Sequence, residues 1–205
     1  MQIKNLPRTR TSIRLALVVG ALLLTASPLP AVAGTDDGRR VTLSGRATSS
    51  PSIFGEVTGT FTTQLDYMGE PADIKVDASA RTDYTPASGA SRAFVAMNWD
   101  FQGDFTSLTV KRPPKGSGIT WSVADFGPGH QTVVVVKECP YDPPASSTGT
   151  CQLTVKNMNL RFNGGTPSTV QAVQGAHAFW PVGPDGGQGD SVSVSVVDSS
   201  PLIRH

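Results

Sequence analysis

The chain has 205 residues, with 17 Lys and Arg against 16 Asp and Glu, 21 Gly, 16 Pro and two Cys. A hydrophobic content of 38% beside so much Gly and Pro fits a loop-rich globular protein and not a disordered one. Beyond residue 33 no basic run is longer than the pairs Arg39-Arg40 and Lys111-Arg112, which disfavours nucleic acid and anionic membrane as partners.

Residues 1–33 read as a secretory signal peptide. Lys4, Arg8, Arg10 and Arg14 stand in a segment without acids, an apolar run follows over 15–24, and Ala31-Val32-Ala33 supplies small residues for cleavage. The apolar run is too short for a membrane anchor, which needs about 20 residues, and Pro28 and Pro30 end it. Cleavage would leave Gly34 at the N-terminus and remove four of the 17 basic residues and no acid, for a net charge of −3. The expected product is secreted and extracellular, with no stable membrane insertion after cleavage. The remaining chain suffices for one domain burying roughly 70% of its unfolded surface. We assign 34–200 to a single β-rich domain and 201–205 to a C-terminal tail.

Along that domain, 34–40 is polar and expected to fray. Residues 41–48 alternate as a short strand. The clearest alternation follows: Val57, Gly59, Phe61, Thr63, Leu65 and Tyr67 against Glu56, Thr58, Thr60, Thr62, Gln64 and Asp66, one dry face and one wet. After the turn at 68–71, Ile74, Val76, Ala78 and Ala80 face one way, and Asp73, Lys75 and Asp77 the other. Val95, Met97, Trp99 and Phe101 form the next apolar face, 105–110 another strand, and Ile119, Trp121 and Val123 a further one. Trp99 and Trp121 both sit in apolar alternating faces and are expected in the core.

Residues 131–162 contain the only cysteines, Cys139 and Cys151, around a loop with Pro140, Pro143 and Pro144. An oxidising compartment favours their bridging. The expected unit is a hairpin stapled by that bridge, its first strand, 133–136, being four valines suited to cover on both faces. In the second strand the apolar phase changes from odd (Cys151, Leu153, Val155) to even (Met158, Leu160, Phe162), which places a β-bulge near Lys156-Asn157. Asn163-Gly164-Gly165 is a turn signal. Residues 169–179 are ambiguous between a helical turn and an irregular strand, 180–190 read as a loop, and Val192, Val194 and Val196 as a last strand. No stretch supports three turns of amphipathic helix. The expected fold is all-β: a single antiparallel β-sandwich or barrel-like domain of about nine or ten short strands.

Catalytic signals are sparse. His130, His177 and His205 show no zinc-ligand spacing, and Gly116-Ser117-Gly118 lacks the nucleophile-elbow spacing. Asp100 with Asp104, and Glu56 with Asp66, are carboxylate pairs better read as solvated strand charges than as a glycosidase pair. The run 185–190 misses the glycine-rich calcium turn by one residue and reads as a hairpin loop. We therefore assign no catalytic, cofactor or metal residues and expect no cofactor. Candidate binding residues are Tyr141 and Asp142, inside the cysteine loop, and Trp180, which opens a Gly-rich loop. A disulfide and three prolines lower the entropy lost when such a loop binds, although a purely structural clasp is the preferred reading. The expected role is non-enzymatic binding or surface interaction with an extracellular protein or carbohydrate. The alternatives are a secreted hydrolase acting on polysaccharide or peptide, and a β-barrel carrier of an apolar ligand.

Overall fold

The computed structural model describes residues 34–36, 40–48, 55–68, 73–86, 92–140, 149–181 and 187–198, with side chains at 40–48, 57–68, 73–84, 93–139 and 149–176. Segment 1–33, expected to be a signal peptide, and the expected tail 201–205 lie outside these residues, as do Tyr141 and Asp142. Every described element is a strand: β1 Gly34–Asp36, β2 Arg40–Thr48, β3 Gly55–Tyr67, β4 Asp73–Pro86, β5 Arg92–Asp104, β6 Ser107–Arg112, β7 Ile119–Asp125, β8 His130–Pro140, β9 Gly149–Asn163, β10 Thr166–Pro181 and β11 Gly187–Asp198. They form two antiparallel sheets, one ordered β1-β2-β3-β4-β9-β6 and the other β11-β10-β5-β8-β7. This is a β-sandwich.

Period-two alternation turns each strand's apolar residues inward. Leu43, Leu65, Ile74, Tyr84, Leu153, Met158 and Leu160 come from the six-stranded sheet, and Val95, Met97, Trp99, Phe101, Val133 and Val135 from the other; all are almost wholly buried. Each such side chain contributes about 1.5–3 kcal/mol by leaving water. Phe162 meets Phe101 and Phe105 edge-on, with ring centroids 5.1 and 5.0 Å apart, a favoured aromatic geometry. Buried polar groups also tie the sheets together. The Trp99 indole donates to Thr63 Oγ1 at 2.9 Å, and the Gln174 amide donates to the Arg81 carbonyl at 2.9 Å. The Leu108 amide donates to Gln131 Oε1 at 2.6 Å.

The cysteines are bridged, with Cα atoms 5.6 Å apart. They do not staple a hairpin. β8 pairs with β5 and β7, and β9 pairs with β4 and β6, so the bridge joins one sheet to the other. Alternation identified both strands but carried no information about their partners. The valine run is likewise covered on one side only: Val133 and Val135 are buried, while Val134 and Val136 are half-buried on the outer face.

Two further expectations are corrected and one open reading is resolved. Gly34–Asp36 pairs with β2 instead of fraying. The ambiguous 169–179 lies within the 16-residue strand β10, stabilised by partners on both sides. The expected loop at 180–190 is shorter, because Trp180 and Pro181 still belong to β10 and Gly187–Asp190 pairs with it in β11. The bulge stands where the phase change put it. Val76 pairs with Met158 and Ala78 with Val155, so Lys156 and Asn157 both oppose Asp77. Asn157 has φ 53°, and its amide donates to Asp77 Oδ1 at 2.6 Å. The β9–β10 turn uses Gly164 at φ 77°, where a Cβ would lie 2.6 Å from Thr106 Oγ1.

Candidate functional site

The outer face of the six-stranded sheet carries the polar halves of β2, β3, β4 and β9. Much of it is internally paired. Arg40 bonds Asp66 at 2.6 Å, and Lys75 bridges Asp66 and Asp77 at 3.2 and 3.1 Å. Arg81 and Thr150 hold Asp83, while Arg161 grips both oxygens of Asp73, which Lys111 also meets. The Arg161 guanidinium, with Lys111 beside it, keeps the Asp73 carboxyl below the ordinary carboxylate range despite opposing burial. Desolvation works to raise Asp66, but bonds from Arg40 and Lys75 leave it lowered as well.

Within this face lies a trough of about 220 Å³ lined by Thr42, Thr62, Gln64, Asp77, Ala78, Ser79, Thr154 and Lys156. Register explains it. Ser44, Thr62, Ser79 and Thr154 align across β2, β3, β4 and β9 as a row of short hydroxyl side chains, at the strand spacing of about 4.8 Å. The next row, Thr42, Gln64 and Asp77, ends at the bulge, which sets Lys156 beside Asp77. Short residues make the floor and longer ones the rim. Among the described residues, the side chains of Thr42, Thr62, Gln64, Ser79, Thr154 and Lys156 make no hydrogen bond or ion pair, whereas Arg40, Asp66, Lys75 and Asp77 beside them are paired.

A second polar group lies on the outer face of the five-stranded sheet. His130 Nε2 is 2.8 Å from Asp100 Oδ1, Thr132 Oγ1 donates to the same oxygen, and Gln102 Nε2 donates to Oδ2 at 3.1 Å. Burial works to raise the Asp100 carboxyl, but these three bonds outweigh it and hold it below its ordinary value. The imidazole thus spends one nitrogen on the acid, and the nearby Thr132 hydroxyl donates to that acid and not to the imidazole. Phe126 stacks on His130 with centroids 4.7 Å apart and is itself 64% exposed. Nucleophile, base and acid do not form a chain here, and His130 sits at a strand end, its side chain 41% exposed.

Of the candidate binding residues, Tyr141 and Asp142 lie outside the described residues. Trp180 pairs through its backbone with Gln188, and its side chain is not among those described. Trp121 corrects an expectation: it is 43% exposed, because β7 is the edge of its sheet, whereas Trp99 on central β5 is wholly buried. The trough was not among the candidates. Its residues were visible as polar strand faces, but what aligns them is the register across four strands. Fold and surface together define an all-β sandwich with an open polar trough on one sheet. No known family model matches the sequence, and no curated protein matches it.

Proposed function

We propose that the chain is an exported, non-catalytic binding protein, and that the trough across β2, β3, β4 and β9 takes a polyhydroxylated ligand, a carbohydrate. One observation carries this reading: six polar side chains gathered in one depression lack partners within the described chain, while the charged residues Arg40, Asp66, Lys75, Asp77, Arg81 and Asp83 around them are paired with one another. Sugar hydroxyls donate and accept at once, and they suit a floor of Thr and Ser hydroxyls beside an amide. Those protein groups are already fixed by the sheet, which lowers the ordering cost of binding. The Asp77 charge is balanced by Lys75 at 3.1 Å, which among the described residues leaves the Lys156 ammonium as the one unpaired charge in the lining.

The hydrolase alternative draws on the Asp100–His130 pair, but the hydroxyl beside it, Thr132, is bonded to the acid and not to the imidazole. The carrier alternative rests on a closed barrel, and the described strands form two separate sheets. Export is supported by the order of basic, apolar and small residues over 1–33; protein recovered from culture medium is expected to begin at Gly34. An intact N-terminus on membrane-bound material would overturn that part.

The ligand claim is tested by calorimetry and affinity electrophoresis against a panel of soluble neutral and acidic polysaccharides. Ser79→Arg fills the floor of the trough at an exposed position and should leave stability within about 0.5 kcal/mol. It should weaken binding about tenfold or more. Binding that ignores this substitution, or no binding to any polysaccharide in the panel, would refute the assignment.

A further inference from the structure

β7 is the last strand of the five-stranded sheet, and its backbone shows which groups are left over. At one end of its ladder with β8 the Glu138 amide donates to the Gly118 carbonyl at 3.1 Å; at the other, the Phe126 amide donates to the His130 carbonyl at 3.1 Å. Opposed residues in an antiparallel pair alternate between bonded and non-bonded. Thr120, Ser122 and Ala124 therefore bond to β8. The N–H and C=O groups of Trp121, Val123 and Asp125 and the Ile119 carbonyl point the other way, where no described strand lies, while the Ile119 amide donates to the Gly116 carbonyl at 3.4 Å.

Such edges are ordinarily blunted by charge, proline or a bulge. β6, the adjacent edge of the other sheet, has all of these: Lys111 and Arg112, a register shift between Val110 and Arg112, and Pro113-Pro114 directly after. β7 (ITWSVAD) has no Lys, Arg or Pro and pairs with β8 without a register shift.

We propose that β7 is a dimerisation edge, pairing antiparallel with β7 of a second copy about a two-fold axis through Ser122. This register overlaps the whole strand. Trp121 then exchanges both backbone bonds with Val123 of the second copy, and the Ile119 carbonyl accepts from the Asp125 amide of the second copy. The same odd-numbered residues carry the outward backbone groups and the side chains that share Val135's face, so one register satisfies both. Each Trp121 lies against a Val123, an aromatic–β-branched pair that covers an indole otherwise 43% exposed. Thr120 meets Ala124, and Ser122 meets its own counterpart, so no like charges face each other. Centring the axis on Trp121 instead would set indole against indole and leave Ala124 and Asp125 without partners. A two-fold interface requires one patch to complement itself, and this strand does. The two five-stranded sheets become one continuous sheet.

The test is sedimentation equilibrium on the purified protein with two substitutions at one exposed position. The wild type is expected to dimerise. Ser122→Lys sets two ammonium groups across the axis, at a non-bonded pair where Cα atoms are about 4.5 Å apart, and should raise the dimer dissociation constant about tenfold or more, with a melting temperature equal to the wild type's at concentrations where both are monomeric. Ser122→Cys should form an intermolecular disulfide on mild oxidation, since that spacing falls within bridging range. Thr120→Cys, which faces Ala124, should not. A wild type that stays monomeric at its highest soluble concentration overturns the proposal. So does a dimer indifferent to Ser122→Lys, or equal cross-linking through Cys at 120 and 122.

Discussion

Gln131 of β8 accepts the backbone amide of Leu108 of β6 at 2.6 Å, bonding one sheet to the other through a side chain. Its own amide donates to Asp125 Oδ1 at 3.0 Å, and the Gly127 amide donates to that same oxygen at 2.9 Å. Gln131 is buried, so its amide has traded water for protein partners. Gln131→Leu should cost about 1–3 kcal/mol in urea unfolding, because the Leu108 amide is left without an acceptor. Gln131→Glu keeps the acceptor but places a second carboxylate against Asp125. Its deficit relative to wild type should be largest at pH 7 and shrink as the pH falls below about 5, where the new carboxyl takes up a proton.

The tryptophans of β5 and β7 should respond differently to truncation. Trp99→Ala empties a buried site and strips Thr63 of its donor, with an expected loss of about 3–5 kcal/mol. Trp121→Ala, at an exposed edge, should cost about 1 kcal/mol or less in the monomer. Urea titrations of the two variants, followed by far-ultraviolet circular dichroism, separate them. A large loss at Trp121 would place it in the core after all.

Asp100 gives an acid-side signature. Its folded carboxyl lies below its ordinary value, so the stability it contributes is fully present above the unfolded value of about 3.9 and is lost as pH falls through the folded value. Asp100→Asn should therefore be less stable than wild type by about 1 kcal/mol at pH 6, with the gap shrinking as the pH falls below the unfolded value of about 3.9. Unfolding midpoints at pH 6, 4 and 3 check this. A gap that widens on acidification would contradict the assignment.

The disulfide closes a loop with a sequence separation of 12 and spans both sheets. Replacing Cys139 and Cys151 together by Ser should lower stability by about 3 kcal/mol while the two sheets persist, since Cys151 is one of many buried core residues and the others remain. Chemical denaturation of the double variant, with its circular dichroism compared at zero denaturant, reads both quantities.

What the sequence revealed and what it hid divide along a physical line. Alternation at β3 and β5 exposed their buried faces, because side-chain direction in a strand is a local property. The bulge at Lys156-Asn157 was legible for the same reason: an extra residue reverses the phase. Strand partnership is not local. Val133–Val136 and Leu153–Val155 are close in sequence and flank a bridged loop, yet they pair with β5 and β4 in opposite sheets. Trp121 looks like Trp99 in pattern, and only the strand order tells a central strand from an edge. The trough was hidden for that reason too. Thr62, Ser79 and Thr154 are ordinary wet-face residues until the register sets them side by side.

The strand order also fixes when the protein can fold. β4 lies between β3 and β9, and β5 between β8 and β10, so each sheet is completed across its middle by a strand from far along the chain. Asp73 pairs with Arg161, and Asp100 with Gln171. The β2–β3–β4 meander can form early and locally, but its apolar face finds cover only once later strands arrive. Loop closure over such separations is paid before its contacts return anything, so folding should fall in the slow, millisecond-to-second range of β-sandwiches. A nascent chain ending before Gly149 lacks β9, β10 and β11 altogether, and no half of this sandwich can wait as a finished piece for the rest.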